Sequence, residues 1–212
     1  MNEELIYKII FFTLFILLLA IRLFFGWKVR QKGESSWSVE KDAVKREGGW
    51  SILLRPLAFL LLLALAAGYA VLPGEPAWLV LPLPAWIRWT GAALGVFGLA
   101  YLIWVHSTLR EYWSTVLQLR KEHMLITAGP YRWIRHPMYS ALMLCFLSLA
   151  MVSAAWPLLL LAVATMPFFH RVTVKEEEMM IAQFGEVYRV YRDNTGRFWP
   201  RLSAEVLRPD RS

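Results

Sequence analysis

Met138–Phe169 reads MYSALMLCFLSLAMVSAAWPLLLLAVATMPFF, thirty-two residues without one charged side chain. A membrane helix needs about 20 mostly apolar residues, so the block is too long for one span. Ala154-Ala155-Trp156-Pro157 interrupts it near the middle. Proline is tolerated in the first turn of a helix, so this break predicts a tight helical hairpin. The second arm is short for a full crossing. Working outward, three more apolar runs precede it: about Ile6–Phe25, Ile52–Leu72 (stopped by Pro73-Gly74) and Trp86–Val105. The first has Glu3 and Glu4 where a signal peptide would be basic, and no small-residue cleavage site follows it. The third carries Gly91, Gly95 and Gly98, a spacing that allows helices to approach closely. The fold class predicted is an all-α polytopic membrane protein of about five spans, with a cytoplasmic amphipathic helix near its C-terminus.

Composition agrees. The chain is 58% hydrophobic yet carries a net charge of +7. Such an excess suits either nucleic acid or the anionic inner leaflet of a membrane. Here the basic residues lie between apolar runs, which favours the membrane and argues against a nucleic-acid partner. Eleven Trp and eight Tyr fit the aromatic belts at the headgroups. Cys145 has no partner for an intramolecular disulfide and reads as a small core residue. The basic residues alternate from loop to loop. Lys28, Arg30, Lys32, Lys41, Lys45 and Arg46 follow span one, whereas no Lys or Arg precedes Arg88 between spans two and three. Arg110, Arg120, Lys121, Arg132 and Arg135 follow span three, the hairpin tip has none, and the tail is basic again. By the positive-inside rule the N-terminus is outside and the C-terminus in the cytoplasm. The charged stretch Glu34–Gly49 reads as a solvated loop.

Two segments on that cytoplasmic side carry the chemistry-bearing residues. In Gly129-Pro130-Tyr131-Arg132-Trp133-Ile134-Arg135-His136-Pro137-Met138-Tyr139, Gly-Pro marks a turn and Pro137 suits the start of span four. Arg135 and His136 then precede a helix N-terminus at the membrane boundary, a natural seat for an anion. The plain alternative is an interfacial anchor of snorkelling arginine and belt aromatics. In His170–Met180, the carboxylates of Glu176, Glu177 and Glu178 fan around the helix, so at least one turns toward the protein or a cavity. The alternative is a solvated helix start, where acids are favoured. Met180, Phe184, Tyr188 and Tyr191 recur at helical spacing and predict an amphipathic helix whose stripe reads as packing.

Other chemistries find little support. His106, His123, His136 and His170 show no pair at metal-ligand spacing, so no metal is expected. Glycine-rich dinucleotide fingerprints, phosphate loops and nucleophile elbows are missing.

Glu122-His123-Met124-Leu125-Ile126-Thr127-Ala128-Gly129-Pro130-Tyr131, running into Arg135-His136-Pro137-Met138-Tyr139, resembles the first signature of the isoprenylcysteine carboxyl methyltransferase family. Glu176-Glu177, Phe184-Gly185, Tyr188 and Tyr191 resemble its second signature, and Trp113-Ser114 and Arg197-Phe198-Trp199-Pro200 resemble further elements of prokaryotic members. The likeness covers about Thr108–Pro200. It implies a helical membrane enzyme that methylates a lipophilic acceptor with S-adenosylmethionine, held in a cytoplasm-facing pocket closed by C-terminal helices. It also implies that His123, Leu125, Ile126, Gly129, Tyr131, Arg135, His136, Pro137, Tyr139, Glu176 and Glu177 line the cofactor pocket. Arg135 and His136 suit the cofactor's carboxylate, and Glu176 or Glu177 its ammonium or sulfonium charge. Three positions depart from the family's pattern: Glu178 extends the acidic pair, Arg171 sits five residues before it, and Met180 replaces a leucine.

The expected catalytic set is Glu176, Glu177 and Arg197, with residues 1–105 as a membrane unit and 106–212 as the methyltransferase region. Arg197 reads either as a bidentate clamp for the acceptor's acidic end or as a partner of lipid phosphate. Beside a membrane-dissolved acceptor and lipids as partners stand two rival readings: an NADPH-dependent reductase of the sterol or steroid type, and a non-catalytic membrane protein of the same fold.

Overall fold

A computed structural model describes residues 3–31, 49–71, 79–109 and 125–201. The charged loop before Gly49, Trp113-Ser114 and the expected ligand His123 lie outside these residues. The described residues form six α-helices: α1 Glu3–Gln31, α2 Gly49–Val71, α3 Ala85–Leu109, α4 Pro137–Ser153, α5 Trp156–Phe184 and α6 Glu186–Asn194. A 3₁₀ turn, Gly129–Arg132, precedes α4. Four of the helices (α1, α2, α3 and α5) are long and apolar enough to cross a membrane, and α4 is a shorter apolar helix of 17 residues. The chain is an all-α polytopic membrane protein.

The bundle is inside-out relative to a soluble one. Large side chains such as Ile16, Leu23, Val96 and Leu160 face outward, each 60% or more exposed, as a lipid solvent permits. Small residues bring the helices together. A methyl added at Gly91 would lie 2.6 Å from Cβ of Met151, and one at Gly98 3.0 Å from Sγ of Cys145. Gly95 lies equally close to the Ser148 hydroxyl, which itself donates to the Gly91 carbonyl at 2.7 Å. The glycine stripe of α3 is therefore the seam against α4, and buried Cys145 is part of that seam. Phe11, Leu14 and Leu18 of α1 close the core with Leu99, Leu102 and Leu149.

One end of the bundle is pinned by Arg88, whose guanidinium donates to Glu4 (Nη1–Oε1 2.5 Å, Nη2–Oε2 3.0 Å) and to the Val152 carbonyl (2.9 Å). It also lies 3.7 Å over the Tyr7 ring. This end therefore gathers the starts of α1 and α3 and the close of α4. The hairpin tip is here too: Ala154 takes the left-handed conformation (φ 55°) and Ala155 is extended, bridging Val80. The expected hairpin thus forms at the expected tetrapeptide.

Its arms differ from expectation, however. The second arm is the long one: α5 runs 29 residues through Pro167 and the whole polar segment His170–Phe184, while α4 is the short arm. At about 1.5 Å per residue, α4 rises about 26 Å and α5 about 43 Å, so the excess of α5 projects past the start of α4. Apolar run length alone hid this, because helix propensity does not stop where hydrophobicity does. The amphipathic helix is also divided: Gly185 (φ +56°) ends α5, and α6 begins anew. The sequence division after Val105 falls within α3.

Candidate functional site

At the opposite end, three separated segments meet. Pro137 opens α4 with His136 as its cap, so the Arg135–His136 side chains sit where the short arm begins. The extra length of α5 brings Glu176 and Glu177 beside them. The Thr195–Phe198 tail then lies alongside Trp133–His136: the amides of Arg135 and His136 donate to the carbonyls of Gly196 (2.9 Å) and Arg197 (3.1 Å), and the Gly196 amide to Trp133 (3.0 Å). The Ser140 hydroxyl donates to Phe198 (2.7 Å).

Glu177 is the hub. One oxygen accepts from Arg135 Nε at 2.6 Å and Arg197 Nε at 2.9 Å and lies 3.1 Å from His136 Nε2; the other accepts from Arg197 Nη2 at 2.8 Å. Its side chain is only 7% exposed, so these charges meet with little water to screen them. Glu176, half-buried, accepts from the Tyr139 hydroxyl (2.7 Å) and lies 3.1 Å from His136 Nδ1. Glu178 is exposed. The triplet is thereby sorted: one carboxylate inward, one at the edge, one in solvent.

Arg135 also donates to the carbonyls of Thr195 (2.5 Å) and Arg192 (3.4 Å), capping α6 where helix carbonyls lack partners. Tyr191 donates to the Tyr131 carbonyl (2.7 Å), and Tyr188 is buried, so the aromatic stripe is packing, as its spacing suggested. Gly129 (φ +57°) closes against Thr108, and Leu125 and Ile126 are half-buried nearby in sequence. The seat of positive charge before α4 is thus filled by the chain's own Glu177. Arg197 is engaged by the same carboxylate and is not an open fork. Sequence reading missed Ser140, Thr195 and Gly196, whose contacts are made largely through backbone atoms. The Thr195-Gly196 pair directly before Arg197 was the available signal.

His136 is buried, which opposes its charged form, but its bonds to Glu176 and Glu177 outweigh that and raise its pKa above the usual value. A raised folded-state value stabilises fully below the unfolded value of about 6.5 and is lost as pH climbs through the folded one. The melting temperature in nanodiscs should therefore fall as pH rises above about 6.5. His136→Gln should flatten that slope; an equal slope in the variant would contradict the assignment.

Residues 91–183 match the profile of the isoprenylcysteine carboxyl methyltransferase (ICMT) family. Among solved structures, the eukaryotic intramembrane Ras methyltransferase ICMT superposes with a TM-score of 0.52 at 18% identity, covering 79% of this chain and 56% of that one. The cobalt-zinc-cadmium resistance protein CzcN of Cupriavidus metallidurans is 25% identical over 124 residues, 55% of each chain. The chain thus spans somewhat over half the length of these relatives. The solved structure supports the fold, and the profile match covers the α3–α5 core together with Arg135, His136, Glu176 and Glu177. The protein is an all-α integral membrane protein whose residues 91–183 are similar to the ICMT family.

Proposed function

We propose that the protein transfers a methyl group from S-adenosylmethionine to a lipophilic acceptor dissolved in the membrane. The observation that carries this reading is the Glu177 hub of α5, which joins Arg135 and His136 from one segment and Arg197 from another at one end of the bundle. The donor set fits the cofactor. With His136 protonated, three cationic side chains face two carboxylates, and the single positive excess suits the cofactor's carboxylate. Glu176, at the edge of the network, suits its ammonium. By the family resemblance Leu125, Ile126, Gly129, Tyr131, Pro137 and Tyr139 would belong to the cofactor's surroundings, and Glu177 holds the cationic groups at fixed positions. Bound S-adenosylmethionine would supply an electrophilic methyl on sulfur. The chain's contribution is orientation and the exclusion of water, which dominate when little proton transfer is required.

Purified protein titrated calorimetrically with S-adenosylmethionine and, separately, NADPH tests this. Binding of the first alone is expected; binding of NADPH alone would replace the reading with a reductase, and binding of neither with a non-catalytic role.

The same reading places the site in the cytoplasm. Glu3 and the Glu177 hub lie at opposite ends of the bundle, and in the sequence the basic stretches follow α1 and α3. Single cysteines at Glu3 and Gly185 should be labelled from opposite sides of oriented vesicles, the first from outside. Labelling of both from one side would refute this topology.

A further inference from the structure

His170 is an exposed polar side chain near the hub end of α5. It lies seven residues before Glu177 on α5, hence on the same stripe but about 10 Å nearer the hairpin tip. Exposed Trp156 marks that tip as a headgroup-level end. Counted from Trp156, a hydrocarbon layer of about 30 Å ends near Glu176–Glu177, so His170 lies with Arg171 and Lys175 in the last two turns before that boundary. Its exposed side chain follows the outward-facing Val163 and Met166.

Arg197 spans the gap. While Nε and Nη2 hold Glu177, Nη1 lies 3.2 Å from His170 Nδ1. A guanidinium has only donors, so Nδ1 must be the acceptor and its lone pair is used. The neutral ring then carries its proton on Nε2. That N–H is a donor on an exposed side chain.

We propose that His170 is the positioning and specificity residue for the acceptor, binding the hydrogen-bond-accepting polar end of a lipophilic molecule through Nε2–H, with Arg197 locking the tautomer. The arrangement selects acceptors that arrive with a lone pair free, such as a carboxylate. It disfavours ammonium groups, because both the Nε2–H and an ammonium are donors and neither offers the other a lone pair. This deepens the methyl-transfer reading of the same site and rests on it for calling the ligand an acceptor, but not for the binding itself.

The test uses the full chain, labelled with ¹⁵N-histidine and placed in nanodiscs, with laurate and dodecylammonium as probes. His170→Gln, whose amide can replace an Nε2–H donor, assigns the resonance; His170→Leu removes the donor. Expected are an unprotonated Nδ1, a laurate-dependent shift of Nε2–H, and laurate affinity about tenfold or more weaker in His170→Leu but largely kept in His170→Gln. Cofactor affinity by calorimetry should not change in His170→Leu. A proton on Nδ1, equal laurate affinity in His170→Leu, or dodecylammonium binding as well as laurate would each overturn the proposal. Laurate binding at His170 without any binding of S-adenosylmethionine would leave it standing and refute the methyl-transfer reading instead.

Discussion

Replacing Glu177 with alanine is expected to abolish measurable S-adenosylmethionine binding and to destabilise the protein more than any other single change at the site. The variant leaves Arg135, Arg197 and His136 crowded together without their common anion. Removing one partner of a buried ion pair costs about 3–5 kcal/mol, and here one carboxylate serves three cations at 7% exposure. The tail should loosen too, because Arg197 leaves α5 and Arg135 is no longer oriented to cap α6. Thermal melting, calorimetry and the rate of tryptic cleavage at Arg189 and Arg192 would report the three effects together. Glu177→Gln should be milder, since the amide oxygen still accepts, and Glu178→Gln close to neutral because that side chain is exposed. If Glu178→Gln alone impaired binding, the assignment of the inward carboxylate would fail.

Gly196→Val should have the second largest effect, and a different signature. A Cβ at this position collides with the Trp199 carbonyl oxygen and comes within 2.8 Å of its carbon. Both are backbone atoms, which cannot rotate aside as a side chain would, so the tail must leave its place. With it go the Gly196 and Arg197 carbonyls that accept from Arg135 and His136, and the Phe198 carbonyl that accepts from Ser140. None of these is a bond within the helical backbone of a span, so far-ultraviolet circular dichroism should stay unchanged. Cofactor affinity should fall about a hundredfold or more, the equivalent of two charge-assisted hydrogen bonds. Unaltered affinity would show that the tail's docking is irrelevant to the site.

The two variants separate charge from placement. Glu177 supplies an electrostatic centre, whereas Gly196 supplies room for a backbone path, and sequence reading sees these unequally. A carboxylate at the end of an apolar run is conspicuous because its burial is expensive. A glycine that lets one loop pass another shows nothing until the second loop is in place. Arg197 lies between these cases. Its motif was legible, and both of its sequence readings gave it an external anion, either the acceptor or a lipid. In the folded chain its two nearest polar partners are Glu177 and His170.

What the sequence by itself determined is the solvent and the breaks between the apolar helices. Uncharged blocks of span length, with breaks at Pro73-Gly74 and Ala154–Pro157, leave few alternatives in a bilayer, where every backbone group must be satisfied within its own helix. It also determined the α3 seam, because three glycines on one face have a use only where another helix comes close. Tertiary structure alone decided where α5 ends, since a helix continues past its apolar stretch whenever a neighbour satisfies its polar side. That extra length set the height of Glu177 against His136. It fixed which carboxylate turns inward, and it made one network from charges 42 and 20 residues apart along the chain.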